Sequence, residues 1–185
     1  AMARLRRDFL PEDLQPEIAA AGVDATIAVQ VRQTLEESAW LLQLADACPF
    51  IAGVVGWVGL RAARMRDDLA RLAPHPKFVG VRHIVQSELD DRFLLRSDFC
   101  RGIGALEEFG LPYDVLIYPR HLPYAAELAA RFERQPFVLD HLAKPEIRRG
   151  AIDAWERELR RLAGHPNVSC KLSGLITEAD WTQWK

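Results

Sequence analysis

Apolar residues fall into short runs of strand length, and helical stripes separate the runs. Ala25-Thr-Ile-Ala-Val-Gln-Val31 is a β-rich run, followed by Phe50 to Val58, Lys77 to Gln86, Tyr113 to Arg120, Phe137 to Leu139 and Val168 to Ser173. The run before Asp140 is short, continuous and bounded by Pro136 and Pro145, as in a strand buried on both faces. Between the runs the spacing turns helical. Trp40, Leu41, Leu44 and Ala45 form one stripe, and Trp155 and Leu159 stand four apart on another. Helices are predicted over Phe9 to Ala20, Thr34 onward, Ala62 to Leu72, Asp98 to Phe109, Pro123 to Glu133 and Ile152 to Leu162, with a further start after Thr177. Thr34 and Glu37 have capping-box spacing, and Gly22 and Gly110 sit where helices stop.

Strand and helix alternating at about 30 residues predict right-handed βαβ units and a parallel sheet. Two architectures satisfy that pattern: an open doubly wound sheet and a closed (β/α)8 barrel. Gly53 and Gly56 lie inside a strand, and Gly102 and Gly104 inside a helix, so neither pair has the strand-to-helix context of a dinucleotide fingerprint. Nearly every predicted strand also ends in polar or aromatic residues: Gln30 and Arg32; Trp57; Arg82, His83 and Gln86; Tyr118 and Arg120; Asp140 and His141; Lys171 and Ser173. A barrel draws its catalytic face from such tips, which favours the barrel. No linker or shift in composition divides the chain, so residues 1–185 read as a single, partial barrel domain.

Composition narrows the function classes. A net charge of -2 with interspersed acids and arginines gives no electrostatic case for nucleic acid or an anionic membrane. No apolar stretch reaches a membrane span, and no basic-then-apolar leader opens the chain. Cys48, Cys100 and Cys170 are too scattered for a paired-cysteine zinc pattern, so a reduced, cytoplasmic setting is expected, with Cys170 in the core.

The strand-end segments also carry a resemblance. Phe50-Ile-Ala-Gly-Val-Val-Gly-Trp-Val58, Gly80-Val-Arg-His-Ile-Val-Gln86, Tyr118-Pro-Arg-His-Leu-Pro123, Asp140-His-Leu-Ala-Lys-Pro145 and Cys170-Lys-Leu-Ser-Gly174 resemble the third to seventh strands of the amidohydrolase-2 group of TIM-barrel, metal-dependent hydrolases. Together they are most similar to the branch that holds L-fuconolactonase and related sugar-lactone hydrolases. The resemblance implies a TIM (β/α)8 barrel that is incomplete here, with about six parallel strands. It implies a small-molecule substrate, a sugar-acid lactone, opened to the free acid. A dicarboxylate-lactone hydrolase or decarboxylase of the same superfamily, and an inactive truncated barrel, stand as alternatives. The first-strand His-x-His and the eighth-strand aspartate of that family are absent from these residues. Exposed sheet edges of a six-stranded piece would favour an oligomer.

The resemblance points to His141 as the catalytic strand-six histidine. The substrate-binding candidates are Arg82, Gln86, Tyr118, Arg120, Trp57 and Lys171. Strand alternation puts Arg82 and His83 on opposite faces, so only one can face the centre, and the resemblance implies that it is Arg82. An ion pair for Arg82, a snorkelling role for Lys171 and simple packing for Trp57 are the competing readings. His75 and His165 precede strands, at the opposite end. One imidazole is too few for zinc, so no metal ligand is assigned here. One divalent metal such as zinc is compatible with a longer protein but not required.

Overall fold

Six parallel strands run in sequence order across one sheet, and this order decides between the two candidate architectures. They are β1 (Thr26–Val29), β2 (Ile51–Gly56), β3 (Phe78–His83), β4 (Tyr113–Val115), β5 (Phe137–Leu139) and β6 (Val168–Cys170). A doubly wound sheet reverses its strand order at a switch point. Here every neighbour is the next strand in the chain, and the sheet curls as an incomplete TIM barrel. The computed structural model describes residues 6–183. Helix α1 (Pro11–Ala20) precedes the strands, α2 (Leu35–Ala47), α3 (Met65–Leu72), α4 (Ser97–Glu108), α5 (Leu122–Arg131) and α6 (Asp153–Ala163) intervene between them, and α7 (Leu175–Glu178) follows. None of the helices is long and apolar enough to cross a membrane, among the described residues.

The core lies between the sheet's convex face and the helices. Val54, Phe78, Val81, Tyr113 and Leu139 are buried there with Leu69, Phe99, Ile103, Leu106 and Leu128 from the helices. Phe93, Phe99, Tyr113 and Phe137 form a ladder with ring centroids 5.0 to 6.4 Å apart, tying the 3-10 turn Phe93–Leu95 and α4 to β4 and β5. The concave face is lined by Ile27, Val29, Val55, Val79, Val138, Asp114 and Lys171 around about 450 Å³. Ile27, 57% exposed, reflects how open that face is at the β1 edge.

Every predicted strand but the fifth is shorter than its apolar run, the fourth and sixth among them. The fourth stops at Val115 rather than Arg120 because Pro119 opens a 3-10 turn, Pro119–His121. The sixth stops at Cys170. Cys170 is exposed on this last strand, not in the core as expected, because β6 pairs only with β5. The Thr34 cap forms as predicted, its hydroxyl accepting from Glu37 N–H at 3.1 Å. The Glu37 carboxylate, however, accepts from Val31 and Arg32 N–H rather than closing the box on Thr34. The predicted final helix is reduced to α7, and Trp184 and Lys185 lie outside the described residues.

Gly102 shows why a glycine sits mid-helix in α4. A Cβ there would stand 2.6 Å from the Leu60 Cβ and closer still to the Leu60 carbonyl. The loop after β2 is therefore seated directly on the α4 backbone. Gly102→Ala should destabilise the protein by about 1–3 kcal/mol, the usual cost of overpacking. Urea unfolding checks this; an unchanged midpoint would show that the loop gives way without cost.

Candidate active site

Arg82 reaches the concave face because β3 carries a bulge. The pairing of β2 with β3 steps from Val54↔Phe78 to Val55↔Gly80, leaving Val79 as the extra residue. Phe78 therefore packs toward the helices against Gly56 and Ser38, while Arg82 points into the lumen. His83 falls on the helix side and stacks on Phe93 at 5.0 Å, so the predicted opposition of Arg82 and His83 holds.

In the lumen four charged side chains from four adjacent strands or their tips meet. Arg82 Nη1 donates to Asp140 Oδ2 at 2.8 Å. Lys171 Nζ lies 2.7 Å from Asp140 Oδ1 and also donates to Asp114 Oδ2. The second Arg82 Nη donates to the Gln30 carbonyl, and Gln30 Nε2 donates back to the Arg82 carbonyl at 3.1 Å. Asp140 is fully buried and Asp114 nearly so. Two cations and two carboxylates cancel, which buried ions require. Burial pushes the Asp114 carboxyl above its ordinary value against the pull of Lys171. Burial is also the largest influence on Lys171, and it opposes the charge. The contacts with Asp114 and Asp140 together outweigh it, so the amine's pKa rises.

His141 stands on the residue after Asp140. Its Nδ1 is 2.9 Å from Ser173 Oγ, on the loop after β6. Gly174, at φ +72°, lets that loop approach: a Cβ on it would be 2.9 Å from the His141 Cβ. Burial pushes the imidazole pKa below 6.5, with Lys144, Lys171 and Arg82 adding to the shift and Asp140 opposing it. The neutral ring is therefore favoured at neutral pH.

The remaining sequence candidates lie around this centre in separate groups. Arg120 Nε donates to Asp91 Oδ1 at 2.8 Å, and its guanidinium lies 5.1 Å from the centre of the Tyr118 ring. Lys144 Nζ lies 5.5 Å from the same ring, which links this group to the turn that carries His141. Trp57 Nε1 donates to His83 Nδ1 at 3.3 Å, and His83 Nε2 is 2.7 Å from Glu88 Oε1. Gln86, in a 3-10 turn after β3, has a buried Oε1 with no hydrogen bond among the described residues. His75 sits before β3, 3.2 Å from Asp46. The structure thus joins Arg82 and Lys171 beside His141, joins Tyr118 to Arg120, and leaves Trp57 and Gln86 apart from both. Sequence reasoning missed Asp114 and gave Asp140 no specific partner. Nothing in the run around Asp114 marks it, because its partner Lys171 stands 57 residues away in the chain.

No three His, Cys, Asp or Glu side chains converge into a metal-binding group among the described residues. The donor chemistry explains this. Asp114 and Asp140 are occupied by Lys171 and Arg82, and His141 Nδ1 by Ser173. A divalent ion would have to displace the cations from Asp114 and Asp140, and the one ring nitrogen left on His141 is too few ligands by itself, so the residues present do not fit one.

Comparison with known proteins follows the same lines. The amidohydrolase family model matches residues 3–185. An L-fucono-1,5-lactonase of Burkholderia ambifaria is 44% identical over 94% of this chain and 60% of its own length. Another, from Burkholderia multivorans, is 42% identical over 97% of this chain and 62% of its own. A crystal structure of an amidohydrolase from Burkholderia multivorans with bound zinc superposes with a TM-score of 0.91 at 43% identity, covering 97% of this chain and 64% of that one. The chain spans about three fifths of the length of the curated relatives it matches.

One backbone feature of the site is directly testable. Lys144, at φ 54°, adopts a left-handed conformation that side chains with a Cβ disfavour. Lys144→Gly should stabilise the protein by up to about 1 kcal/mol, raising Tm in calorimetry. A fall in Tm would mean that the lysine's contacts outweigh the backbone strain.

Proposed function

The chain belongs to the amidohydrolase family, and from that premise we propose that the protein hydrolyses the lactone of a sugar acid to the free acid. The observation that carries this reading is the His141 imidazole at the tip of β5, held by Ser173 and favoured in its neutral form. The L-fucono-1,5-lactonases at 42% and 44% identity support the substrate class.

Lactone hydrolysis adds water to the carbonyl carbon, breaks the ring C–O bond and protonates the alkoxide released. When the Ser173 hydroxyl donates to Nδ1, the neutral His141 ring carries its hydrogen on Nε2. That N–H serves as a donor to the carbonyl oxygen as negative charge develops, or to the leaving alkoxide. Asp114 and Asp140 are poor candidates for activating water, since both are buried against cations. We assign that step to the eighth-strand aspartate that the family resemblance implies. A divalent ion such as zinc would need ligands other than the residues described here.

The dicarboxylate reading needs free basic residues. Arg82, Arg120 and Lys171 are instead paired with Asp140, Asp91 and both Asp114 and Asp140. With its cations neutralised by acids the site suits a polyol better, because hydroxyls ask for directional partners rather than bare charge. The partner is accordingly a neutral small molecule. Three free cysteines fit a reducing, cytoplasmic setting.

The assay is proton release in weak buffer over a panel of sugar γ- and δ-lactones, with a dicarboxylate lactone and an aromatic acid as controls. The full protein should open sugar lactones and leave the controls. Turnover of the controls alone would transfer the assignment to the alternative. His141→Asn should lower kcat on the order of a hundredfold. The pH profile has a defined sign. Burial lowers the His141 pKa, so the neutral ring persists through pH 6.5 and the rate should fall only below it. A rate lost on raising the pH through 6.5 would contradict a neutral donor.

A further inference from the structure

The turn that carries His141 is wound in the wrong hand. His141, Leu142, Ala143 and Lys144 have φ values of 53°, 54°, 56° and 54°, and none is glycine. A single non-glycine residue there is uncommon, and four in a row are held only where neighbours over-determine them. The turn closes as a single short 3-10 element, Asp140–Ala143, and Lys144 N–H donates to the His141 carbonyl at its end, at 2.9 Å. The strands do not extend into it: the last ladder contact nearby is Lys171 N–H to the Leu139 carbonyl.

The outer layer adds a hold from the helix side. Trp155, on α6, donates its indole N–H to the Leu142 carbonyl at 2.6 Å. Its ring is half-buried against the core, so the α6 backbone anchors the donor. On the other side of the turn stand Ser173 Oγ and the bare Cα of Gly174, against the His141 ring and Cβ. The turn is thus clamped between a helix outside the sheet and the β6 loop at its mouth.

We propose that Trp155 is a positioning residue for His141: its hydrogen bond to Leu142 keeps the left-handed turn wound and so seats the imidazole against Ser173. This rests on the catalytic role proposed for His141, but it makes a separate physical claim. Packing alone would be served by phenylalanine, whereas the hold on Leu142 needs the N–H. A relaxed turn would return residues 141–144 toward negative φ, swing the imidazole off Ser173 and expose it.

The test compares the full-length protein with Trp155→Phe, using isotope-labelled histidine and NMR. The His141 signal is identified by its loss in His141→Asn. In Trp155→Phe the His141 ring signals should shift, and its titration midpoint should rise toward the free-histidine value of about 6.5. kcat should fall about tenfold, with KM changing less than twofold. Gly174→Ala, which presses on His141 from the opposite side, should displace the same signals. Unchanged His141 signals and kcat in Trp155→Phe would overturn the proposal, even with His141→Asn inactive. Displaced signals in Trp155→Phe alongside full activity in His141→Asn would uphold the positioning and sink the catalytic role instead. Should Trp155→Phe fail to fold, the unsubstituted protein decides. Its Trp155 indole proton should exchange slowly with solvent, and exchange at the rate of a free indole would overturn the claim.

Discussion

Asp140 is a fully buried carboxylate, and the lumen is arranged around the need to neutralise it. Arg82 reaches it from β3 and Lys171 from the end of β6, on its two separate oxygens. Asp114 on β4 then balances the second cation. Buried ions tolerate no unpaired member, so the four side chains hold four neighbouring strand ends to one another. The register agrees, with Arg82 opposite Asp114, and Asp114 opposite Val138 two residues before Asp140. Backbone hydrogen bonds would permit each parallel pair to slip, but the charges would not.

The same constraint prepares the chemistry. Fixing Asp140 fixes the residue that follows it, and His141 leaves the strand into a left-handed turn. The imidazole is then held by Ser173, where burial disfavours its protonation, with three nearby cations adding to that and one carboxylate opposing it. Arg82 and Lys171, which a motif-based reading makes substrate ligands, are also the framework of the site. A substitution at either would disturb folding and binding together, and a lowered rate alone would not separate the two.

Much of the fold was legible because parallel strands buried on both faces leave continuous apolar runs, and the helix stops carry glycine. The barrel's polar strand tips were visible as a series, and alternation separated Arg82 from His83. Other features carry no signal in one sequence. The bulge at Val79 depends on the register of β3 against β2, which only pairing defines. Asp114 looks like any acid in a run until Lys171 arrives from 57 residues away. The left-handed turn was hidden because none of its residues is glycine, the usual mark of positive φ. Cys170 was misplaced because an apolar run shows that a strand exists but not whether it lies at an edge.

The central claim is that Asp140 and its cations are one energetic unit. A double-mutant cycle on Arg82 and Asp140, with Arg82→Met, Asp140→Leu and the pair together, tests it by urea unfolding of the full-length protein. Each single change strands a buried partner and should cost about 3–5 kcal/mol. The double change leaves less charge exposed to the apolar interior, so its cost should fall short of the sum by at least about 1 kcal/mol. Strictly additive costs would mean that the two side chains act independently, and would contradict the account.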